Sequence, residues 1–172
     1  SRFTFKLTRE DDPVWSSDGS KIIFDSNPEG VSNPYVKIAT GAGAEEILLK
    51  SSLETIPSDW SADGRYVLLH VENTKTKMDV WALPITGDKK VFPVVQTEAN
   101  EDVGRFSPDG HWVAYESDES GKYEIYVQAF PVSQGKWQIS VNGGGAPQWS
   151  KDGKELFYLE ELVVDYIHLQ LL

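Results

Sequence analysis

The segment Gly104-Arg-Phe-Ser-Pro-Asp-Gly110 decides the fold, because the chain contains four versions of it. The other three carry a Trp followed by Ser-x-Asp-Gly: Pro13-Val-Trp-Ser-Ser-Asp-Gly19, Ser58-Asp-Trp-Ser-Ala-Asp-Gly64 and Pro147-Gln-Trp-Ser-Lys-Asp-Gly153. The aromatic positions of the four copies are separated by 45, 46 and 43 residues; they are Trp15, Trp60, Phe106 and Trp149. A repeat of this length is typical of one four-stranded blade of a β-propeller.

Short apolar segments after each motif predict the other strands of each blade. Second strands are expected at 21–24, 66–69, 112–115 and 155–158. Third strands follow at 35–39, 79–83 and 124–130, and fourth strands at 46–49, 91–95 and 137–141. The second strands hardly alternate between apolar and polar residues, which is typical of strands buried on both faces. The sequence therefore predicts an all-β propeller of four-stranded antiparallel blades, with about four repeats.

The repeat boundaries predict a single propeller domain over residues 1–172. Its blades are expected at approximately 9–51, 52–97, 98–142 and 143–172. The chain begins without Met, so we expect a mature form or a piece of something longer. The tail at 160–172 is expected to supply a third strand to the fourth blade, or else to form an amphipathic helix.

The fourth repeat ends without a fourth strand of its own. In residues 2–8, Phe3, Phe5 and Leu7 alternate with polar residues, so this segment is a candidate latch strand that completes the fourth blade. Such a latch would close a small four-bladed ring. The alternative is an open fragment of a larger propeller, whose exposed blade faces would be covered by a second copy.

The Asp-Gly pair of each motif is explained by the backbone conformation of a tight turn. Asp suits the centre of a tight turn, and the following Gly takes the left-handed conformation that closes it. The pairs could instead be read as a ring of metal ligands or catalytic acids, but every copy precedes the same kind of strand. We therefore predict turn residues and no metal site at Asp18, Gly19, Asp63, Gly64, Asp109, Gly110, Asp152 and Gly153.

The charge of the chain argues against several kinds of partner. Lys and Arg number 16 and Asp and Glu 27, for a formal net charge of −11. Such a chain repels phosphate backbones and anionic membrane surfaces, so nucleic acid is not an expected partner. The chain has no Cys, which excludes disulfides and thiolate chemistry. No apolar run approaches the length of a membrane span, and no cofactor is expected.

The sequence carries no recognisable catalytic motif, so an enzyme is not expected. The segment Gly30-Val-Ser-Asn-Pro34 lacks the final Gly of a hydrolase nucleophile elbow. His70, His111 and His168 lie far apart and have no metal-ligand spacing. A carboxylate pair for glycoside hydrolysis is not singled out by any pattern.

The loops that enter the innermost strands suggest a binding site at the channel mouth. Three of these loops are acidic, and the fourth carries Gly143, Gly144 and Gly145. Converging acids would suit a cation, a basic peptide or an amine. The alternative is that surface loops of an acidic protein are acidic. The predicted mouth residues are Glu10, Asp11, Asp12, Glu54, Asp59, Glu101 and Asp102.

Two outer-strand tryptophans, Trp81 and Trp137, are the aromatic residues most expected to be partly exposed. If they are exposed, these two side chains would be anchors for a binding partner. Packing against the neighbouring blade is the alternative, because it is the commoner role of Trp in a strand.

The motif also carries a family resemblance. Trp-Ser-x-Asp-Gly, followed by an apolar strand and an Ile-Tyr-Val-like strand, resembles the TolB-type, WD40-like (PD40) propeller repeat. Residues 79–84, 105–121, 124–131 and 153–159 are similar to the propeller attached C-terminally to many bacterial serine/threonine protein kinases. The chain departs from that pattern at Glu160-Glu-Leu162, and the kinase motifs themselves have no match.

The propeller architecture and the missing catalytic motifs predict a non-catalytic binding or sensing module with a protein or peptide partner. The resemblance implies that this module belongs to a bacterial signalling protein. TolB-like propellers also precede the catalytic domain of prolyl-oligopeptidase-type peptidases, so an accessory domain of a hydrolase is one alternative. A structural repeat piece that self-associates through open blades is another. An extracytoplasmic location is expected over a cytoplasmic one.

Overall fold

The computed structural model describes residues 3–4, 8–131 and 135–160, and the backbone of 163–170. These residues form four antiparallel sheets, which we call blades 1 to 4, and they contain no helix. Blade 1 consists of β1 (Glu10–Trp15), β2 (Lys21–Ser26), β3 (Asn33–Ile38) and β4 (Glu46–Ile47). Blade 2 consists of β5 (Thr55–Trp60), β6 (Tyr66–Asn73), β7 (Lys77–Pro84) and β8 (Phe92–Val95).

Blades 3 and 4 repeat the same order. Blade 3 consists of β9 (Glu101–Phe106), β10 (Trp112–Ser117), β11 (Glu124–Ala129) and β12 (Lys136–Gln138). Blade 4 has three strands in the described part of the chain, β13 (Gly145–Trp149), β14 (Glu155–Glu160) and β15 (Val163–Gln170). Each sheet lies within one predicted repeat. The tail is therefore a strand over residues 163–170 and not the alternative helix, and it pairs antiparallel with β14.

The blades stack on one another through their innermost strands. β5 contacts β1, β2 and β3, and β9 contacts β5, β6 and β7. β13 contacts β9, β10 and β11 in the same way. Among the described residues no comparable packing joins blade 4 to blade 1. The sheets are therefore not closed into a small ring, and the open arrangement fits part of a larger propeller.

The apolar second strands form the cores between blades, as their lack of alternation predicts. On β6, Leu68 faces blade 3, whereas Val67 and Leu69 face blade 1. On β10, Val113 and Tyr115 face blade 2, and Ala114 faces blade 4. Because β2, β6 and β10 are buried on both faces, blades 1 to 3 depend on their neighbours for stability.

The pairing of each innermost strand with its neighbour contains a β-bulge. In blades 1, 3 and 4 the residue three positions before the motif aromatic has a positive φ: 47° at Asp12, 48° at Val103 and 53° at Ala146. Blade 2 has Pro57 at this position, and its register also shifts there. A bulge bends its strand and changes which way the following side chains point. The bulge therefore sets the direction in which the neighbouring acidic side chains point.

The N-terminal segment lies on blade 1 where it is described. The Phe3 ring packs edge-on against Phe24, with 6.3 Å between ring centroids and an angle of 78°. Residues 2 and 5–7 of the expected latch strand lie outside the described residues, so the latch stays a prediction. The described part of the chain contains no helix long and apolar enough to cross a membrane.

Candidate functional site

The four Ser-x-Asp-Gly segments form the same hydrogen-bonded turn. In blade 3 the Ser107 hydroxyl donates to Asp109 Oδ1 (2.5 Å), and that oxygen also accepts the His111 amide (3.0 Å). The Trp112 amide donates to Ser107 Oγ (3.0 Å), which fixes the start of β10. Gly110 has a φ of 73°, which a residue with a Cβ rarely adopts. These contacts tie each Asp to its own turn.

The same contacts shift the pKa values of the turn carboxylates. Hydrogen bonds from the Ser16 hydroxyl and the Ser20 amide lower the pKa of Asp18 to about 2. Burial alone would raise the pKa of Asp109, but bonds from Ser107 and His111 outweigh it and lower that pKa. The four Asp residues lie in separate turns. No group of three or more acidic or His side chains in the described ranges could hold a metal ion.

The motif aromatics differ mainly in whether a preceding blade covers them. Phe106 and Trp149 are 6% and 7% exposed, and Trp149 Nε1 donates to the Arg105 carbonyl of blade 3 (3.2 Å). Trp60 is partly buried against blade 1. Trp15 is 57% exposed, because no described blade stands before blade 1.

The predicted acidic mouth is only partly assembled. Six of its seven residues lie within innermost strands and not in the loops before them, and the seventh, Glu54, is exposed. Glu101 is fully buried and accepts hydrogen bonds from the Thr97 hydroxyl and amide. The oxygens of Asp59 accept the Trp60 amide (2.9 Å) and the Phe106 amide (2.7 Å). Glu101 and Asp59 are thus occupied inside the protein.

Asp102 is occupied as well, by a histidine of blade 2. His70 Nδ1 lies 2.7 Å from Asp102 Oδ1, and the Val103 amide donates to the same oxygen (2.8 Å). Burial would raise the pKa of Asp102, but the contacts with His70 and Val103 outweigh it and lower that pKa. The pair joins blade 2 to blade 3. His70 therefore has a structural partner that sequence spacing could not reveal.

The acids of blade 1, together with the exposed Glu54, remain the accessible part of the predicted mouth. Asp12 is exposed, Asp11 is half-buried and bonded to Arg9, and Glu10 is partly buried. Asp25, which the sequence did not single out, lies close to them and is 2% exposed. Its burial, followed by the charges of Asp12 and Asp11, raises its pKa. These four carboxylates form what we call the blade 1 acidic cluster.

The glycine run before the fourth motif has a packing role. The Gly143 amide donates to Glu124 Oε1 (3.0 Å), and the Ala146 amide donates to Glu116. A Cβ on Gly144 would lie 2.6 Å from Ser140 Oγ, so this position needs Gly. The run is the connection between blades 3 and 4.

A groove lined by three tryptophans lies between blades 3 and 4. Its volume is about 550 Å³. The rings of Trp112 and Trp137 meet edge-to-face, with 5.6 Å between their centroids and an angle of 71°. Trp149 closes the groove on the blade 4 side. We call it the tryptophan groove; its lining is Trp112, Val127, Trp137, Ile139 and Trp149, with Ser107, Asp109, Gln138 and Gly153 as its further residues.

The two outer-strand tryptophans have different environments. Trp137, on the edge strand β12, is 50% exposed. Trp81 packs into the core between blades 1 and 2. Trp112 and Trp149 were expected only as strand and motif residues. Trp112 and Trp137 lie in the same blade, two strands apart, whereas Trp149 joins them only because blade 4 stacks on blade 3, which nothing in the local sequence indicates.

The comparisons with known proteins rest on structure. No family model and no curated protein matches the chain. The fold is similar to a putative TolB from Agrobacterium tumefaciens, with a TM-score of 0.82 and 20% identity, over 96% of this chain and 62% of that one. It is also similar to TolB from Acinetobacter baumannii, with a TM-score of 0.76 and 18% identity, over 98% and 45% of the two chains.

A prolyl endopeptidase structure is a further likeness, with a TM-score of 0.66 and 15% identity, over 92% of this chain and 26% of that one. The chain thus spans less than two thirds of each of these proteins. At such identities the likeness shows the fold alone, and the resemblances to PD40 repeats and kinase-attached propellers stay predictions. The chain is an all-β propeller with the fold seen in TolB structures.

Proposed function

We propose that this chain is a non-catalytic binding module that recognises a protein or peptide through the tryptophan groove. The observation that carries the proposal is the half-exposed Trp137 beside Trp112 and Trp149. A concave site lined mainly by aromatic and apolar side chains, with a few polar groups, is the usual form of a binding pocket. Exposed tryptophans supply a large contact area and little conformational entropy loss.

The lining indicates the class of ligand. A peptide in an extended conformation would insert an apolar or aromatic side chain between Trp137 and Trp149. Gln138 would form a hydrogen bond with the backbone of that peptide. Asp109 stands at the groove, and the chain carries a net charge of −11. Basic residues on either side of the anchor would therefore raise the association rate. We expect peptides with one large apolar residue flanked by Lys or Arg.

Panning of a random heptapeptide phage library against the immobilised chain tests the proposal. Peptides selected on the wild type should lose at least tenfold in affinity for Trp137→Ala. Trp15→Ala is the matched control, because Trp15 is exposed to a similar extent and lies outside the groove. Selected peptides that bind Trp137→Ala as well as the wild type would reject the groove.

The blade 1 acidic cluster is a second candidate site, for an amine or a basic peptide. Its supporting observation is Asp25, whose Oδ1 has no hydrogen-bond partner among the described residues and whose pKa is raised. The contact between Arg9 and Asp11 supports this proposal, since it pairs a guanidinium with one of these carboxylates.

A Lys/Arg-rich decapeptide is the probe for this second site. Its binding should weaken with salt and should fall in the double variant Asp11→Asn with Asp12→Asn. Glu54→Gln is the control for a lost surface charge. Equal loss in the control and the double variant would mean that net charge alone attracts the probe.

A role in a bacterial signalling protein, outside the cytoplasm, is the setting we propose for this module. The alternative setting, beside a hydrolase domain, draws on the prolyl endopeptidase likeness. The coding sequence adjacent to this chain separates them, since a kinase upstream favours the first and a serine hydrolase downstream the second.

A further inference from the structure

We propose that the interface between blades 2 and 3 binds a calcium ion through the buried carboxylates of Asp79 and Glu101. The ion would neutralise two acids that lie inside the protein, and it would hold the two blades together. The inference is separate from the proposed function, because it involves neither the tryptophan groove nor the blade 1 acidic cluster.

Asp79 and Glu101 are fully buried carboxylates at the same interface. Asp79 lies in β7 of blade 2 and Glu101 begins β9 of blade 3, and both are 0% exposed. Gln96 Nε2 donates to Asp79 Oδ2 (2.9 Å), and the hydroxyl and amide of the adjacent Thr97 donate to the two oxygens of Glu101. Burial, and after it the charge of Asp79, raises the pKa of Glu101. The two carboxylates therefore lie close together.

Neither carboxylate has a positively charged partner. Among the described residues, no Lys, Arg or His nitrogen lies within 4.0 Å of Asp79 or Glu101. Burying an ionised carboxylate costs much free energy unless an opposite charge compensates for it. The carboxylate oxygens that accept hydrogen bonds here still have lone pairs with which to bind a cation.

The repeat identifies the equivalent positions at the other two interfaces. Asp79 pairs with the residue 11 positions after its motif aromatic, and the residues that do so in blades 1 and 3 are Asn33 and Glu124. Glu101 lies five positions before its motif aromatic, as Thr55 and Gly144 do in blades 2 and 4. The strands concerned are in contact at each interface, β3 with β5, β7 with β9 and β11 with β13.

Among the three described interfaces, only that between blades 2 and 3 has two acids at these positions. Between blades 1 and 2 the pair is neutral, Asn33 with Thr55. Between blades 3 and 4 there is a single acid, Glu124, and Lys122 Nζ lies 3.3 Å from its Oε1. The other interfaces thus carry either no charge here or a paired one, which supports a bound cation between blades 2 and 3.

The oxygen atoms around the two acids suit calcium. Asp79 Oδ1 and the hydroxyl of Tyr115, a residue 1% exposed, have no hydrogen-bond partner among the described residues. Burial, followed by the charges of Glu119 and Glu101, raises the pKa of Tyr115, as expected for a hydroxyl that faces the acids. No group of three acidic or His side chains occurs in the described ranges, so neutral oxygens must complete the coordination. Ca²⁺ accepts such mixed oxygen ligands in flexible geometry.

A cavity next to the two acids gives the ion a path from solvent. Its volume is about 350 Å³, and Thr97, which bonds Glu101, is part of its wall. Three acidic side chains line it against one Lys, so its potential would attract a cation. The lining residues are Lys77, Thr97, Glu98, Ala99, Asp118 and Glu119.

Thermal unfolding of the 172-residue chain, in EDTA and in millimolar CaCl₂, tests the inference. Ca²⁺ should raise the unfolding midpoint by about 5 °C or more, because an ion that binds only the folded chain stabilises it. Mg²⁺ should raise the midpoint less, since it demands a strict octahedral geometry. Isothermal titration calorimetry should show one Ca²⁺ per chain.

A double variant reproduces the neutral pair found between blades 1 and 2. Asp79→Asn with Glu101→Thr should fold in EDTA, and its unfolding midpoint should not respond to Ca²⁺. Asp11→Asn with Asp12→Asn is the matched control, because it removes the same number of charges from the blade 1 acidic cluster. This control should keep the full calcium response.

Three results would overturn the inference. The first is the same wild-type midpoint in EDTA and in CaCl₂, as water or a shared proton between the carboxylates would give. The second is an equal calcium response in the double variant and the control, which would mean a general effect of Ca²⁺ on an acidic chain. The third is an unchanged calcium affinity in the single variant Asp79→Asn, where we expect a loss of at least tenfold even if the double variant does not fold.

Discussion

The interface between blades 2 and 3 and the interface between blades 3 and 4 use the same kinds of residue in different ways. In the first, Phe130 lies 5.0 Å from both Tyr66 and Phe106 and 6.1 Å from Phe92, measured between ring centroids. In the second, the equivalent space is the tryptophan groove, and Trp137 is half-exposed. Aromatic residues of the repeat thus form a closed core in one interface and an accessible surface in the next.

One aromatic ring lies at the centre of the closed interface. Phe130 follows the third strand of blade 3 and fills the space between the two blades. In blade 4 the third strand β15 ends at Gln170, and the residues that follow lie outside the described part of the chain. The tryptophan groove therefore depends on how two blades pack together and not on the repeat motif itself.

The largest expected effect is on the closed interface. Phe130→Ala removes the ring at the centre of the aromatic cluster, so the free energy of unfolding should fall by about 3–5 kcal/mol. Urea denaturation followed by circular dichroism measures the change. A loss below about 1 kcal/mol would mean that the interface does not depend on this ring.

At the interface between blades 3 and 4, a substitution should change peptide affinity much more than stability. Trp137→Ala should lower the free energy of unfolding by no more than about 1 kcal/mol, because half of the side chain is already exposed. The affinity for groove-selected peptides should nevertheless fall at least tenfold, as isothermal titration calorimetry would show. A strongly destabilised variant would instead identify Trp137 as a core residue.

The motif turns of blades 3 and 1 offer a smaller contrast. Ser107 is 2% exposed and borders the groove, so Ser107→Ala leaves the Trp112 amide without its acceptor and should cost about 1–2 kcal/mol. Ser16→Ala removes the equivalent bond to Lys21 in a more exposed turn and should cost less. Thermal unfolding of the two variants compares them. Equal losses would show that burial does not decide the value of this bond.

The smallest expected effects concern pH. The folded-state pKa of Asp109 is lowered, so its carboxylate stabilises the fold above the unfolded pKa, and this contribution is lost as the pH falls through the folded value. The folded-state pKa of Asp25 is raised, so the fold gains stability as the pH falls through that value towards the unfolded pKa. Asp25→Asn should raise the midpoint of thermal unfolding at pH 7 and abolish this gain. A variant that is less stable at pH 7 would contradict the assignment.

The repeat and its turns could be predicted because their physics is local. Ser107, Asp109 and Gly110 bond within a few residues of one another, so the motif predicts the turn directly. The strand at 163–170 could also be expected from its alternation, although a helix was an open alternative. The likeness to TolB structures agrees with the predicted propeller.

The candidate site was less predictable because it depends on contacts distant in sequence. In the sequence, Glu101 and Asp12 are both acidic residues shortly before a motif aromatic. In the structure, Glu101 is fully buried and Asp12 is exposed. The partner of Asp102 is His70 in another blade, and the partner of Lys37 is the Phe3 carbonyl. These pairings follow from blade stacking, which a pattern of residue types does not encode.

Fluorine NMR of the chain labelled with 5-fluorotryptophan tests the central claim most directly. The six tryptophans give six resonances, assigned by single Trp→Phe variants. Addition of a groove-selected peptide should shift the resonances of Trp112, Trp137 and Trp149 and leave those of Trp15 and Trp81 in place. Shifts confined to Trp15 or Trp81, with the three groove resonances unmoved, would contradict the tryptophan groove as the binding site.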